Sequence, residues 1–222
     1  MTFPVWLRLA LFTLFAAGAY IPFLISKRRA GLAWLPALFW GAISLLSVYH
    51  VQIPVQGVIQ SALVGSELSI PARKFLWVFP SGIIQELFKA LVPFIIIALI
   101  VKTRDYRRLI GAAAGVGFGI AEAVVLVGLY RGDIGTAAIV ERFTTIFFHT
   151  GLTALALGAA TWKGRTVRLV IVMLLHSGVN FMAIFLSSGR KIYITEGTLA
   201  LISILTWGLA LIEMRKDEND SK

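Results

Sequence analysis

The feature that most constrains this chain is a series of apolar runs, each about 20 residues long, that recurs from one end of the sequence to the other. A helix of that length rises about 30 Å, enough to cross the hydrocarbon core of a bilayer. The runs read as about Val5–Ile25, Leu32–Val51, Ser81–Val101, Leu109–Tyr130, Ile139–Thr161, Val167–Leu186 and Thr198–Ile212. They predict an all-α, polytopic membrane bundle of about seven transmembrane helices. Composition points the same way: 58 % of residues are hydrophobic, 14 % are charged, and mean hydropathy is +0.85, well above the apolar share of a water-soluble domain. No linker rich in Pro or Ser and no repeat divides the chain, so residues 1–222 read as a single domain. The first run has no small-residue cleavage site before Lys27 and is read as a retained span.

A net charge of +10 would point to nucleic acid in a soluble protein. Here the basic residues gather in short loops, where they set topology and meet anionic lipid, so no nucleic-acid partner is expected. With seven alternating spans, Lys27, Arg28, Arg29, Lys102, Arg104, Arg107, Arg108, Lys163, Arg165, Arg168, Arg215 and Lys216 share one side. Arg8, Arg73, Lys74, Arg131, Arg190 and Lys191 fall on the other. The positive-inside rule then predicts an integral cell-membrane protein with its N-terminus outside and its C-terminus cytoplasmic. Arg8 and Arg142 lie near enough to span ends to snorkel. The mixed segment Pro54–Ile70 is expected to lie along the surface, and Pro80 to mark a helix start or kink. Without cysteine, disulfides, thiolate catalysis and cysteine-ligated metals are excluded.

Several polar residues interrupt the spans at a free-energy cost that nothing nearby in sequence offsets. These are Glu86 and Lys89 in the third span, Glu122 in the fourth, Arg142 and His149 in the fifth, and His176 and Asn180 in the sixth. Counted at about 1.5 Å per residue from the predicted outer end of each span, they fall in one outer-to-middle layer. Glu86 and Lys89, three apart, share a helix face, as do His176 and Asn180, four apart. A carboxylate can take a proton from water, imidazoles can hold or donate protons, and an amide N–H can stabilise an oxyanion. Those are the parts for amide hydrolysis. His149, His176 and Glu122 could equally bind zinc with one position open for water, so the cofactor is either zinc or none.

Each residue also has a structural reading. Glu86 with Lys89 forms a buried ion pair that fixes register, His149 and Asn180 act as interhelical hydrogen bonders, and Glu122 pairs with Arg142 or Lys89. His50 and Glu141 sit near span ends and receive no role. A non-catalytic helix-binding protein, or a small transporter with a buried proton relay, would use the same groups.

The ordered motifs resemble the PrsW-type intramembrane proteases, which belong with the CAAX-type prenyl endopeptidases and bacteriocin-immunity proteins. The matching residues are Glu86 and Lys89, then Gly117, Phe118 and Glu122, then Arg142 and His149, and finally His176 and Asn180. The matching stretch runs from about Gln85 to Asn180, within a motif core of about 81–187. Two positions depart from the pattern: Gln85 stands where the first motif has another Glu, and Ala123 stands where an Asn is usual, as in the YhfC group. The resemblance implies a helical bundle in which Glu and His activate water, with His and Asn supporting the oxyanion and Lys89 and Arg142 balancing the carboxylates. It implies as substrate a single-span membrane protein cut near the outer face, such as an anti-sigma factor. With Gln85 in the first motif, Glu122 is the carboxylate left to serve as base. A prenyl-CAAX peptidase would need a site open to the cytoplasm.

Overall fold

The computed structural model describes residues 3–26, 32, 34–99, 105–130, 134, 136–186 and 191–219. Lys27, Arg28, Arg29, Lys102, Arg104, Arg131 and Arg190, which carry much of the predicted orientation, lie outside the described residues. Seven helical rods follow in order. They are α1 (Val5–Ser26), α2 (Leu35–Ala62), α3 (Ile70–Leu99), α4 (Asp105–Ala123, continued by a π-helical turn Val124–Gly128), α5 (Thr136–Leu157), α6 (Trp162–Leu186) and α7 (Lys191–Asn219). The described residues contain no strand. Six rods are long and apolar enough to cross a membrane. The other, α5, lies inside the bundle, where a helix shielded from lipid can carry Glu141, Arg142, His149 and several threonines.

Polarity is turned inside out relative to a soluble bundle. Along α3, Leu87, Leu91, Ile95 and Leu99 form an exposed stripe at four-residue spacing, while Gln85, Glu86, Lys89 and Ala90 on the opposite face are buried. Close backbone approach does the packing inside. Ala112, Ala113 and Ala114 of α4 are fully buried. A Cβ on Gly41 of α2 would come within 2.0 Å of the Ala114 carbonyl oxygen, and one on Gly115 of α4 within 2.2 Å of the His149 carbonyl oxygen. Only glycine lets α4 pass this closely between α2 and α5. Indole groups tie other rods, with Trp40 Nε1 donating to Phe88 O (2.7 Å) and Trp207 Nε1 to Ala19 O (2.8 Å).

The structure bears on three expectations. The stretch Pro54–Ile70, expected to lie along the surface, is helical as far as Ala62, because α2 continues through a π-helical turn, Val48–Gln52, just before Pro54. The wider turn admits a residue without an N–H, and it turns Gln52 and Gln56 inward, where they are buried. Of the two readings of Pro80, helix start or kink, the start is excluded. Helix α3 starts at Ile70 and passes through Pro80 and Pro93, so Glu86 lies near mid-helix rather than near an end; neighbouring helices and hydroxyls in a bundle make internal prolines tolerable. Arg8 is buried instead of snorkelling, and donates to the carbonyls of Phe3 (2.6 Å), Val127 (3.3 Å) and Tyr130 (2.5 Å), closing the end of α4.

Consecutive rods run antiparallel. One face of the bundle gathers the start of α1, the α2–α3 connection and the end of α4; the opposite face gathers the starts of α4 and α6 with the end of α7. There Glu213 accepts from Arg108 and Arg168, each at 2.6 Å.

Candidate functional site

Helices α3, α4, α5 and α6 bring six of the seven expected side chains into one continuous network. Glu86 and Lys89 stand one turn apart on α3, both fully buried, and Lys89 Nζ donates to Glu86 Oε1 at 2.5 Å. The same Oε1 lies 2.7 Å from His176 Nδ1 of α6. Lys89 Nζ is also 3.0 Å from His149 Nδ1 of α5, and His149 Nε2 is 3.3 Å from Glu122 Oε2 of α4. Arg142 closes the chain, donating to Glu122 Oε2 at 3.1 Å and to its neighbour Glu141. Arg142 is thus buried and paired, not snorkelling.

Donor and acceptor roles follow from this chain. A carboxylate only accepts, so His176 donates to Glu86 from Nδ1. An ammonium only donates, so His149 accepts at Nδ1 and donates from Nε2 to Glu122. Phe118 and Phe148 hold the rings edge-on, with centroids 4.8 Å from His149 and 5.3 Å from His176 respectively. The two imidazoles are 5.1 Å apart.

A cavity of about 110 Å³ opens beside the network, lined by Glu122, Arg142, His149, His176 and Asn180 together with Glu141 and Ser203. That volume holds about three waters. Glu86 and Lys89 do not line it. They sit behind the histidines, with Glu86 in contact with His176 and Lys89 with His149. Asn180 joins the cavity wall but not the charged chain, and its amide donates to Ser81 Oγ at 2.8 Å.

Glu86, His149 and His176 each offer a ligand atom, all within 4.8 Å of one another. The zinc set expected from sequence pairs the histidines with Glu122, whereas the compact trio contains Glu86. Lys89 bears on the fit, since its ammonium already contacts Glu86 and His149. A fixed cation among these donors takes the place of a divalent ion and repels one. The residues fit an internal ammonium and do not fit zinc as they are arranged.

Sequence reasoning missed Glu141 and the glutamines. Gln85 turns away from the cavity, donating to Gln52 Oε1 at 2.9 Å, and Gln56 donates to Trp77 O at 3.2 Å. Adjacency to Arg142 was the signal for Glu141; the inward turn of Gln52 and Gln56 depends on the π-helical turn and left no mark in spacing. In comparisons with known proteins, no family model, curated protein or solved structure matches the chain.

Proposed function

We propose that this chain is an intramembrane endopeptidase that hydrolyses a peptide bond of a membrane-anchored, single-span protein. The observation that carries the reading is the His176 imidazole, held by buried Glu86 at Nδ1 and lining a cavity of about 110 Å³ walled by Glu122, Arg142 and Asn180. The resemblance to PrsW-type proteases rests on the same residues. The residue in place of the first glutamate of the first motif, Gln85, faces Gln52, so the chemistry falls to His176 and Glu122.

In the proposed reaction Glu122 positions a water through its cavity-facing oxygen, and His176 Nε2 takes the proton as the water oxygen attacks the carbonyl carbon. Glu86 stabilises the imidazolium that forms, as a buried carboxylate does for a catalytic histidine. The C–O bond forms and the carbonyl electrons move onto oxygen, where Arg142 and the Asn180 amide stabilise the charge. The C–N bond then breaks, and His176 returns its proton to the departing amine nitrogen. Burial of the site suits a substrate delivered within the bilayer, and the charge pattern of the loops supports an outer-side site.

The unbroken chain Glu86–Lys89–His149–Glu122–Arg142 also favours a second reading, a proton relay in a small transporter. One experiment separates them. Protein reconstituted in liposomes is given a panel of single-span substrates while internal pH is recorded. Cleavage that falls about 10²–10⁴-fold in His176→Ala supports the peptidase. Proton flux without cleavage supports the transporter.

A further inference from the structure

A second cavity, about 430 Å³ in volume, lies away from the network in the angle between the end of α2 and the start of α3. Ile70, Arg73, Lys74 and Trp77 line it from one face of α3, at the i, i+3, i+4 and i+7 positions that a helix stacks together, and Gln60 of α2 and Leu63, just past its end, line it from the other side. No carboxylate lines it among the described residues, and both cations are only partly buried. Two like charges side by side with no acidic wall are unfavourable unless an anion is held between them.

The length of α3 sets the depth of this cavity. Thirty residues rise about 45 Å against a hydrocarbon core of about 30 Å, so roughly ten residues lie outside the core. Placing Leu99 at the opposite boundary puts Pro80 near the hydrocarbon edge, with Trp77 about 5 Å and Arg73 and Lys74 about 10 Å beyond it. Trp77 therefore falls in the interfacial aromatic belt, and Arg73 and Lys74 at the outer edge of the headgroup layer, within side-chain reach of lipid phosphates. Trp77, the deepest residue of the lining on α3, is the one placed to meet glycerol and the first acyl carbons, while Ile70 lies about 5 Å farther out than Arg73. Both cations also lie on the face with the fewer basic residues, so loop-charge topology does not account for them.

We propose that this cavity binds the phosphodiester headgroup of an anionic phospholipid, with Arg73 and Lys74 on the phosphate and Trp77 at the glycerol level. The site is separate from the hydrolytic one and stands or falls independently of it.

The test is native mass spectrometry on the full-length protein with phosphatidylglycerol and phosphatidylcholine of identical chains. Preferential retention of phosphatidylglycerol is expected. At about fivefold per cation, Arg73→Ala/Lys74→Ala weakens it by roughly 25-fold, while Arg73→Lys keeps most of it and Lys163→Ala, near the opposite face, leaves it unchanged. Thermal melting of the double variant, expected at the wild-type temperature, shows that folding is intact. Water-soluble glycerol phosphate in millimolar excess should fail to displace the lipid. Equal retention of the two lipids, wild-type preference in the double variant, or full displacement by glycerol phosphate would overturn the proposal.

Discussion

Replacing Glu86 with alanine tests whether the buried charges act as one unit. Glu86 Oε1 is shared by Lys89 Nζ at 2.5 Å and His176 Nδ1 at 2.7 Å, and both Glu86 and Lys89 are fully buried. Removing the carboxylate leaves an ammonium with only His149 Nδ1 to receive it and an imidazole N–H with no acceptor. Breaking a buried pair by deleting one partner costs about 3–5 kcal/mol, a large part of the total stability of an ordinary domain. Removing Lys89 as well relieves the stranded charge, so Glu86→Ala/Lys89→Ala should be less destabilised than the sum of the single variants by about 2 kcal/mol. Equilibrium unfolding in mixed micelles, followed by tryptophan fluorescence, measures all four proteins. A Glu86→Ala variant within about 0.5 kcal/mol of wild type, the scatter of an ordinary surface change, would refute the reasoning, as would strict additivity.

Other outcomes follow from the same geometry. Gly115→Val drives a Cβ to 2.2 Å from the His149 carbonyl oxygen, so it should cost about 3 kcal/mol or more in unfolding and should lower cleavage through displacement of His149. Gln85→Glu should not raise cleavage, because the side chain faces Gln52. It should cost about 1–3 kcal/mol by setting a carboxylate against the Gln52 carbonyl oxygen, read by the same unfolding assay. Cleavage should survive a strong chelator, since Lys89 supplies the cation among Glu86, His149 and His176. Zinc retained in stoichiometric amount by the purified wild type, with activity lost on its removal, would contradict that assignment.

Much of this arrangement was legible in the sequence because lipid solvation is a strong filter. An ionisable residue in an apolar run is expensive enough that Glu86, Lys89, Glu122, Arg142, His149 and His176 stood out before any contact was known, and all six meet. The spans were legible by length, except where polarity and burial exchanged roles. In α5, threonines and charges face the bundle, so the run reads as less apolar than its neighbours although it lies inside. What stayed hidden depends on backbone geometry. The polar side chains after Pro54 read as a surface stretch and Pro80 as a helix start or kink, yet α2 runs on to Ala62 past a π-helical turn and α3 passes through Pro80. Glu86 therefore read as near a helix end, whereas it lies near mid-helix. Depth in sequence also could not show that Glu86 stands behind His176, away from the cavity, while Glu122 faces it. In the proposed reaction, that arrangement separates the group that positions the histidine from the groups that meet water. Asn180 illustrates a smaller limit: its spacing from His176 placed it on the right face, but Ser81 rather than the charged chain receives its amide.

The most direct test of the hydrolytic reading is cleavage of a single-span substrate in liposomes prepared in ¹⁸O-enriched water, with both fragments identified by mass spectrometry. The account predicts two fragments, one ¹⁸O atom in the new carboxylate per cleavage, and loss of both products in a folded His176→Ala variant. Intact substrate across the panel, or cleavage undiminished in His176→Ala, would contradict it.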